Sequence, residues 1–469
     1  MEIKQIYTGC LAQGAYYIES NGEAAIIDPL REVQPYIDMA TTRNSKIKYI
    51  LETHFHADFV SGHVTLSEKT GAPIIFGPNA DPSFKATIAE DGQIFPLGNV
   101  KIKVLHTPGH TMESTTYLLL DEQGKEHALF TGDTLFLGDV GRPDLAQKAA
   151  SMTQEDLAGI LYDSLRKKLM VLPDATIIYP GHGAGSACGK KMSKDTVGTL
   201  GDQKLHNYAL RADMSKAEFV KEVTDGLLPP PAYFPLNVQM NKEGYESIDK
   251  VLAKAENALD PAAFEAAANE TDALVLDVRN QQEFAQGHIP NSIFIGIDGG
   301  FAPWVGALVK DVKQPLLLVC DESRLEEVIT RLSRVGFDSV IGYLKGGFEA
   351  WEKAGREKDT VVSISAQEFA SRVSTTPAPI IDVRAEGEFE SAHLKHAFNL
   401  PLDSLNQHLS SFPNTGDVYV HCAGGYRSMI AASILKARGI HNLIDVQGGF
   451  GAIKNTSLPC ESTACALGN

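Results

Sequence analysis

Short apolar runs recur through the first half of the chain, each stopped by a polar or turn-forming residue: Ala24–Ile27, Ile47–Leu51, Ile74–Phe76, Val100–Leu105, Thr116–Leu120, Ala128–Phe130 and Thr176–Tyr179. Their length and their β-branched and aromatic content predict strands. Between them, Val60–Lys69 and Thr153–Leu169 read as helices. The second opens on Thr153 as N-cap, with Glu155 and Asp156 in the first turn where the helix dipole favours acids. Two sheets flanked by helices are expected. Pro229-Pro230-Pro231 continues neither a helix nor a central strand, so Leu227–Pro235 is read as a linker, with a connecting helix near Ser247–Leu259.

Beyond that point the pattern repeats. Leu274–Arg279, ending Asp277-Val278-Arg279, returns as Ile380–Arg384, ending Asp382-Val383-Arg384; Glu283-Phe284 with His288 returns as Glu388-Phe389 with His393. Leu316–Cys320 returns as Val418–Cys422, and Gly346-Gly347-Phe348 as Gly448-Gly449-Phe450. A period near a hundred residues means tandem globular domains, because solenoid repeats span roughly 20–50 residues. Apolar runs alternating with amphipathic helices, Leu325–Val335 and Ser428–Arg438, predict a parallel sheet in each copy. The expected domains are 1–245, 246–360, 361–457 and a flexible tail, 458–469, carrying Cys460 and Cys465.

Composition narrows the function without naming it. A formal charge of −17, from 59 acidic and 42 basic residues, argues against nucleic acid as a partner, since phosphate binding needs a cationic surface. No stretch approaches the roughly 18 apolar residues of a membrane span, and the first residues lack a signal-peptide pattern, so a cytoplasmic protein is expected. Six cysteines in 469 residues are too sparse for a disulfide scaffold. A homo-oligomer is the ordinary prior.

The candidate chemistry lies at the ends of the predicted strands. Ile47–Leu51 leads into His54-Phe55-His56-Ala57-Asp58, Val100–Leu105 into Gly109-His110, Ala128–Phe130 into Gly132-Asp133, and Ala175–Tyr179 into Gly181-His182. Ligands gather outside the carboxyl ends of strands in layered α/β folds, so four such endings point to one metal centre. This set resembles the metallo-β-lactamase superfamily, which implies an αββα sandwich and a site for one or two metals. Phe59 stands where a binuclear member carries a further histidine, and a phenyl ring cannot ligate. One metal is therefore expected.

His421-Cys422-Ala423-Gly424-Gly425-Tyr426-Arg427-Ser428 opens an apolar helix, a setting in which successive backbone N–H groups converge on an anion. Ala423, Gly424, Gly425, Tyr426 and Arg427 are the expected cradle for a persulfide on Cys422. In the first copy, Cys320 is followed by Asp321-Glu322-Ser323-Arg324, one residue shorter and without glycine. At roughly 6 Å and an effective dielectric of about 20, each acid would penalise a thiolate by up to ~2.8 kcal/mol. Cys320 is expected to be inactive. Both copies, through Asp-Val-Arg, Glu-Phe, the histidine and the cysteine loop, resemble the rhodanese sulfurtransferase domain.

The whole arrangement resembles bacterial persulfide dioxygenase–rhodanese fusions. That resemblance implies Fe(II), one per chain, on His54, His110 and Asp133, with His56, Asp58 and His182 as outer-sphere or second-site residues. It implies O2-dependent oxidation of a low-molecular-weight thiol persulfide to sulfite, sulfur transfer through Cys422 to give thiosulfate, and sulfide detoxification. The alternative is a zinc-dependent, glyoxalase II-like thioester hydrolase fused to a sulfurtransferase. Cys188, soon after His182, is a candidate sulfur relay or a packing residue, and Arg142 a candidate clamp for a substrate carboxylate or a loop-fixing partner of Asp139 or Asp144.

Overall fold

The computed structural model describes residues 1–147, 151–413 and 415–462. Its chain divides into two compact units, one of Met1–Lys250 with Leu332–Gly336, the other of Val251–Arg331 and the chain from Phe337 onward.

The first unit holds two six-stranded sheets. One runs Glu2–Thr8, Gln13–Ser20, Glu23–Ile27, Lys46–Leu51, Ile74–Phe76 and Thr87–Ile88. It is antiparallel up to Glu23–Ile27 and parallel from there on. The other, in spatial order, runs Gly198–Thr199, Ile177–Pro180, Glu126–Gly132, Thr115–Leu120, Val100–His106 and Ile94–Leu97. Their inner faces meet in a core of Tyr16, Ile18, Ile27, Leu51, Ile75, Ile102, Val104, Tyr117, Leu119 and Phe130. The alternate residues face outward to helices: Tyr17, Ile26 and Ile50 pack with Tyr36 and Leu66, while Leu118, Leu129 and Ile178 pack with Ala158, Leu161 and Leu165. The strands are apolar on both faces because both faces are covered. This is the expected αββα sandwich.

The helix at Gln154–Ser164 begins on Thr153, whose hydroxyl accepts from the Asp156 amide in a reciprocal cap, and one wide π turn extends it through Leu169. Elements that the sequence did not predict include the strands Glu2–Thr8 and Gln13–Ser20 and the helices Gln34–Thr42, Lys216–Thr224 and Phe234–Glu243, the last just after the proline run.

The second unit contains two five-stranded parallel sheets of identical topology. Strands Ala258–Leu259, Leu274–Asp277, Ile293–Phe294, Leu316–Val319 and Val340–Leu344 take the spatial order first, fifth, fourth, second, third. Val362–Ile364, Ile380–Asp382, Phe398–Asn399, Val418–His421 and Leu443–Val446 repeat it. The repeated sequence motifs become repeated contacts. Arg279 grips Asp277 and covers the Phe348 ring at 4.3 Å; Arg384 grips Asp382 and covers Phe450 at 4.2 Å. Phe284 stacks on His288 at 3.9 Å, and Phe389 on His393 at 3.8 Å.

The expected flexible tail needs one correction. Cys460–Glu461 pairs antiparallel with His393–Leu394, because the Pro459 carbonyl accepts from the Lys395 amide and anchors the segment to the second copy. Cys465 lies outside the described residues. Among the described residues no helix is long and apolar enough to cross a membrane.

Candidate metal centre and cysteine loop

The loop after Lys46–Leu51 is held from below by Asp28. Its carboxylate accepts from the Thr53 amide and the Thr53 hydroxyl, both at 2.8 Å. With its proton given to Asp28, the Thr53 oxygen is an acceptor for His54 Nδ1 at 3.0 Å. His110 Nδ1 likewise donates to the Arg142 carbonyl at 2.8 Å, and His182 Nδ1 faces the Ala12 carbonyl at 3.3 Å. In His54 and His110 the proton is fixed on Nδ1, so Nε2 carries the lone pair that a metal requires.

These lone pairs converge on Asp133. His54 and His110 Nε2 lie 3.9 and 3.5 Å from its Oδ2, and His182 Nε2 lies 3.6 Å from Oδ1. Such separations are too long for hydrogen bonds and suit neighbouring ligands of one ion. Both Asp133 oxygens and His182 Nε2 are buried without a hydrogen-bond partner. Orphaned polar atoms are costly inside a protein unless an ion satisfies them, so the donor set fits a metal. His54, His110 and Asp133 form one group with ligand atoms within 4.8 Å of one another, and His56, Asp58 and His182 form another.

Burial, reinforced by the neighbouring imidazoles, holds the His54 pKa well below its usual range and keeps the ring neutral. Burial also works against a charged His182, but Asp58, 3.3 Å away, and Asp133 outweigh it and hold that pKa well above the usual range. His56 Nε2 approaches Asp28 Oδ1 at 3.1 Å and Glu52 Oε2 at 3.6 Å, while its ring lies 4.3 Å from that of Phe59. Gly181 is required for space: a Cβ there would lie 2.6 Å from Asp133 Oδ1.

In the second copy, Val418–His421 delivers Cys422 to a loop that turns through Gly425 at φ 98°, a conformation that favours glycine. The Gly425 amide donates to Cys422 Sγ at 3.1 Å, and the helix Tyr426–Ala437 begins there. The Gly448–Gly449 turn closes against the loop, with the Phe450 amide donating to the Cys422 carbonyl at 2.6 Å and the Gly451 amide to that of Ala423 at 3.0 Å. Arg427 spends its guanidinium on Glu388 through contacts of 2.6 and 2.8 Å, so Gly425 is the donor actually aimed at sulfur. In the first copy the Cys320 thiol is pushed up to about 12. Burial leads, followed by Asp277, Asp321 and Glu322, so the two loop acids are a smaller cause than the sequence suggested.

A family model described as the metallo-beta-lactamase superfamily matches residues 8–182. The solved metallo-beta-lactamase of Staphylococcus aureus subsp. aureus COL is 32% identical, with a TM-score of 0.65 over 74% of this chain and 99% of that one. The chain belongs to the metallo-β-lactamase superfamily. Residues 260–354 and 365–456 match the rhodanese-like domain, so the superfamily fold is followed here by two rhodanese-like domains. A cytoplasmic hydroxyacylglutathione hydrolase of Arabidopsis thaliana is 32% identical over 185 residues, 38% of this chain and 67% of the relative. ETHE1 from Myxococcus xanthus is 30% identical over 52% of this chain and 98% of its own, with a TM-score of 0.45.

Two further candidates, Arg142 and Cys188, lie beside His110, Asp133 and His182. Arg142 is bound bidentately by Asp144, with both contacts at 2.7 Å, and also donates to the carbonyls of Ala187 and Leu228. Its guanidinium fixes the loop through Asp144, one of the two readings the sequence left open, and its carbonyl orients His110. Cys188 groups with Asp133 and His182, but burial and then Asp58 and Asp133 push its thiol up to about 12. Asp28 and Glu52 were not among the sequence candidates, and Glu388 stood there as part of the repeat and not as the partner of Arg427. The first two immediately follow the runs Ala24–Ile27 and Ile47–Leu51, the same strand-end signal that identified the other site residues.

Proposed function

We propose that the chain is a persulfide dioxygenase and sulfurtransferase, oxidising a low-molecular-weight thiol persulfide with O2 at the His54–His110–Asp133 centre and transferring sulfur through Cys422. The observation that carries the reading is that donor set: two imidazoles presenting Nε2 and one carboxylate, the 2-His-1-carboxylate combination that suits non-haem Fe(II). When bound, Fe(II) would supply the redox chemistry that directs O2 to the outer sulfur. The balance is RSSH + O2 + H2O giving RSH, sulfite and two protons. Thr53 and the Arg142 carbonyl hold the two imidazoles in their ligating tautomers. His182 and Asp58, an ion pair beside Asp133, hold a proton next to the reacting sulfur.

A cysteine domain then has a purpose beside the metal centre. The Cys422 thiolate attacks the outer sulfur of a second persulfide, the donor S–S bond breaks, and RS⁻ leaves. Sulfite attacks the outer sulfur of the cysteine persulfide, the S–S bond to Cys422 breaks, and thiosulfate departs as the thiolate is restored. The Gly425 amide accompanies this charge throughout.

The zinc-dependent thioester hydrolase is the second reading. It is favoured by the hydroxyacylglutathione hydrolase relatives and by the additional His56–Asp58–His182 group. Zn2+ would there supply a water of lowered pKa. Metal analysis of anaerobically purified protein, with O2 uptake measured on adding glutathione persulfide, separates the two. About one iron per chain, with persulfide-dependent O2 consumption and sulfite formation, is expected. About two zinc ions per chain, no O2 uptake and hydrolysis of an acylglutathione would overturn the dioxygenase reading.

A further inference from the structure

The Cys422 loop is held by residues from both rhodanese-like copies. Tyr426, the first residue of the helix after the loop, donates its hydroxyl to the Gly296 carbonyl of the first copy at 2.6 Å. Its ring meets Phe294 edge-on at 5.8 Å and lies so close to Gly299 that a Cβ there would come within 2.3 Å of Cζ. Two turns along the same helix, Ser433 Oγ accepts from the Phe294 amide at 3.0 Å. On the other side of the loop, Gln447, which precedes the Gly448–Gly449 turn, donates to Gln282 of the first copy at 3.3 Å.

These contacts converge on the atoms that matter for sulfur chemistry. Gly425, whose amide donates to Cys422 Sγ, is bonded directly to Tyr426. The turn after Gln447 supplies the amides of Phe450 and Gly451 that hold the Cys422 and Ala423 carbonyls. Arg427, the next anchor, is tied within the second copy to Glu388. Ala423 and Gly424 are exposed, and Gly425 has no side chain to fix its own amide. The direction of that amide therefore depends on where Tyr426 is held.

Resting on the reading of Cys422 as the sulfur-carrying nucleophile, we propose that the first rhodanese-like copy positions the Cys422 loop of the second. Its segment Phe294–Gly299 fixes Tyr426, and Gln282 fixes the approach to the closing turn. The copy whose own thiol is buried among carboxylates acts as one wall of its neighbour's active site. Tyr426, Gly299 and Gln282 are positioning residues on this account, acting through the Gly425 amide and the Cys422 carbonyl.

The test uses the full chain with thiosulfate as sulfur donor and cyanide as acceptor, reading thiocyanate. Cys422→Ser first checks the underlying reading: a wild-type chain whose transfer does not depend on Cys422 overturns that reading and the proposal with it. Given Cys422-dependent transfer, Tyr426→Phe is expected to lower kcat two- to tenfold, the usual range for one lost hydrogen bond, with KM for thiosulfate unchanged. Gly299→Ala, a change in the other copy, is expected to lower kcat more than tenfold through its clash with the ring. The decisive arm is Gly299→Ala in a Tyr426→Ala background, where no ring remains to be displaced; the added methyl should cost nothing further. Wild-type kcat in Gly299→Ala and Tyr426→Phe, or a Gly299→Ala penalty that persists in full without the ring, would overturn the proposal. Unchanged metal content and melting temperature identify chains that have folded, and Tyr426→Phe keeps the test open if Gly299→Ala does not fold.

Discussion

Thr53 and His54 are adjacent in sequence and coupled by hydrogen bonds: the threonine hydroxyl donates to Asp28 Oδ2 at 2.8 Å and faces His54 Nδ1 at 3.0 Å. One side chain thus converts a buried carboxylate into control over which imidazole nitrogen is free. Thr53→Val preserves shape and removes the relay. Loss of such an outer partner ordinarily weakens metal binding about 10- to 100-fold. Chelator competition monitored by metal analysis is expected to show that loss with the fold intact by circular dichroism. Wild-type affinity in Thr53→Val would mean that the tautomer is set elsewhere.

The two rhodanese cysteines should separate cleanly. With its thiol pushed up to about 12, chiefly by burial, Cys320 is essentially un-ionised at pH 7.5. Cys320→Ser is therefore expected to leave thiosulfate formation unchanged, whereas Cys422→Ser abolishes it. Neither change should alter persulfide-dependent O2 uptake, which is assigned to the other unit. Loss of sulfur transfer in Cys320→Ser alone would reverse the assignment.

Asp445 gives a pH dependence with a definite sign. Burial raises its pKa to about 6, against the hydroxyls of Ser428 and Ser363, which donate to it at 2.7 Å. A carboxyl group with a raised pKa binds its proton more tightly in the folded than in the unfolded chain, so its contribution becomes more favourable as pH falls from above 6 towards 4. The shift corresponds to roughly 3 kcal/mol across that window. Asp445→Asn carries no ionisation cost. The melting temperature of wild type relative to Asp445→Asn should therefore rise on going from pH 7.5 to pH 4.5; a difference constant across that range would show that the carboxyl titrates at its ordinary value when folded.

Much of this was legible in the sequence because strand ends and repeats leave strong marks. His54, His110, Asp133 and His182 each follow an apolar run, and the fold brings all four to one point. The duplicated Asp-Val-Arg and Gly-Gly-Phe motifs are where an arginine meets a phenyl ring within each copy, so their recurrence reported a folding contact as well as a duplication. What stayed hidden depended on partners distant along the chain. Arg142 could clamp a substrate or bind Asp144, and only their bidentate geometry decides. Tyr426 could be read as part of a loop, but not as a side chain seated on Gly296, 130 residues earlier. The strand Glu2–Thr8 lacked a clear apolar run because polar residues such as Gln5 are absorbed by tertiary hydrogen bonds to Tyr16 and Thr196, whereas Gln13–Ser20 carries the run Ala15–Ile18, which the strand prediction passed over.

Gly181, before His182, tests whether the close packing around Asp133 is part of the metal centre. A Cβ there would lie 2.6 Å from Asp133 Oδ1 and 3.0 Å from the Gly132 carbonyl carbon. Retreat is blocked because the Gly181 amide donates to the Gly132 carbonyl at 2.8 Å and its own carbonyl accepts from the Gly14 amide at 2.9 Å. Gly181→Ala must therefore move the carboxylate or the loop, with an overpacking cost of about 1–3 kcal/mol. Metal content is expected to fall several-fold, together with the melting temperature. Gly9→Ala is the matched control, since nothing lies within 4 Å of the added carbon. If Gly181→Ala loses stability but retains full metal occupancy, Asp133 is not the ligand that the converging Nε2 atoms indicate.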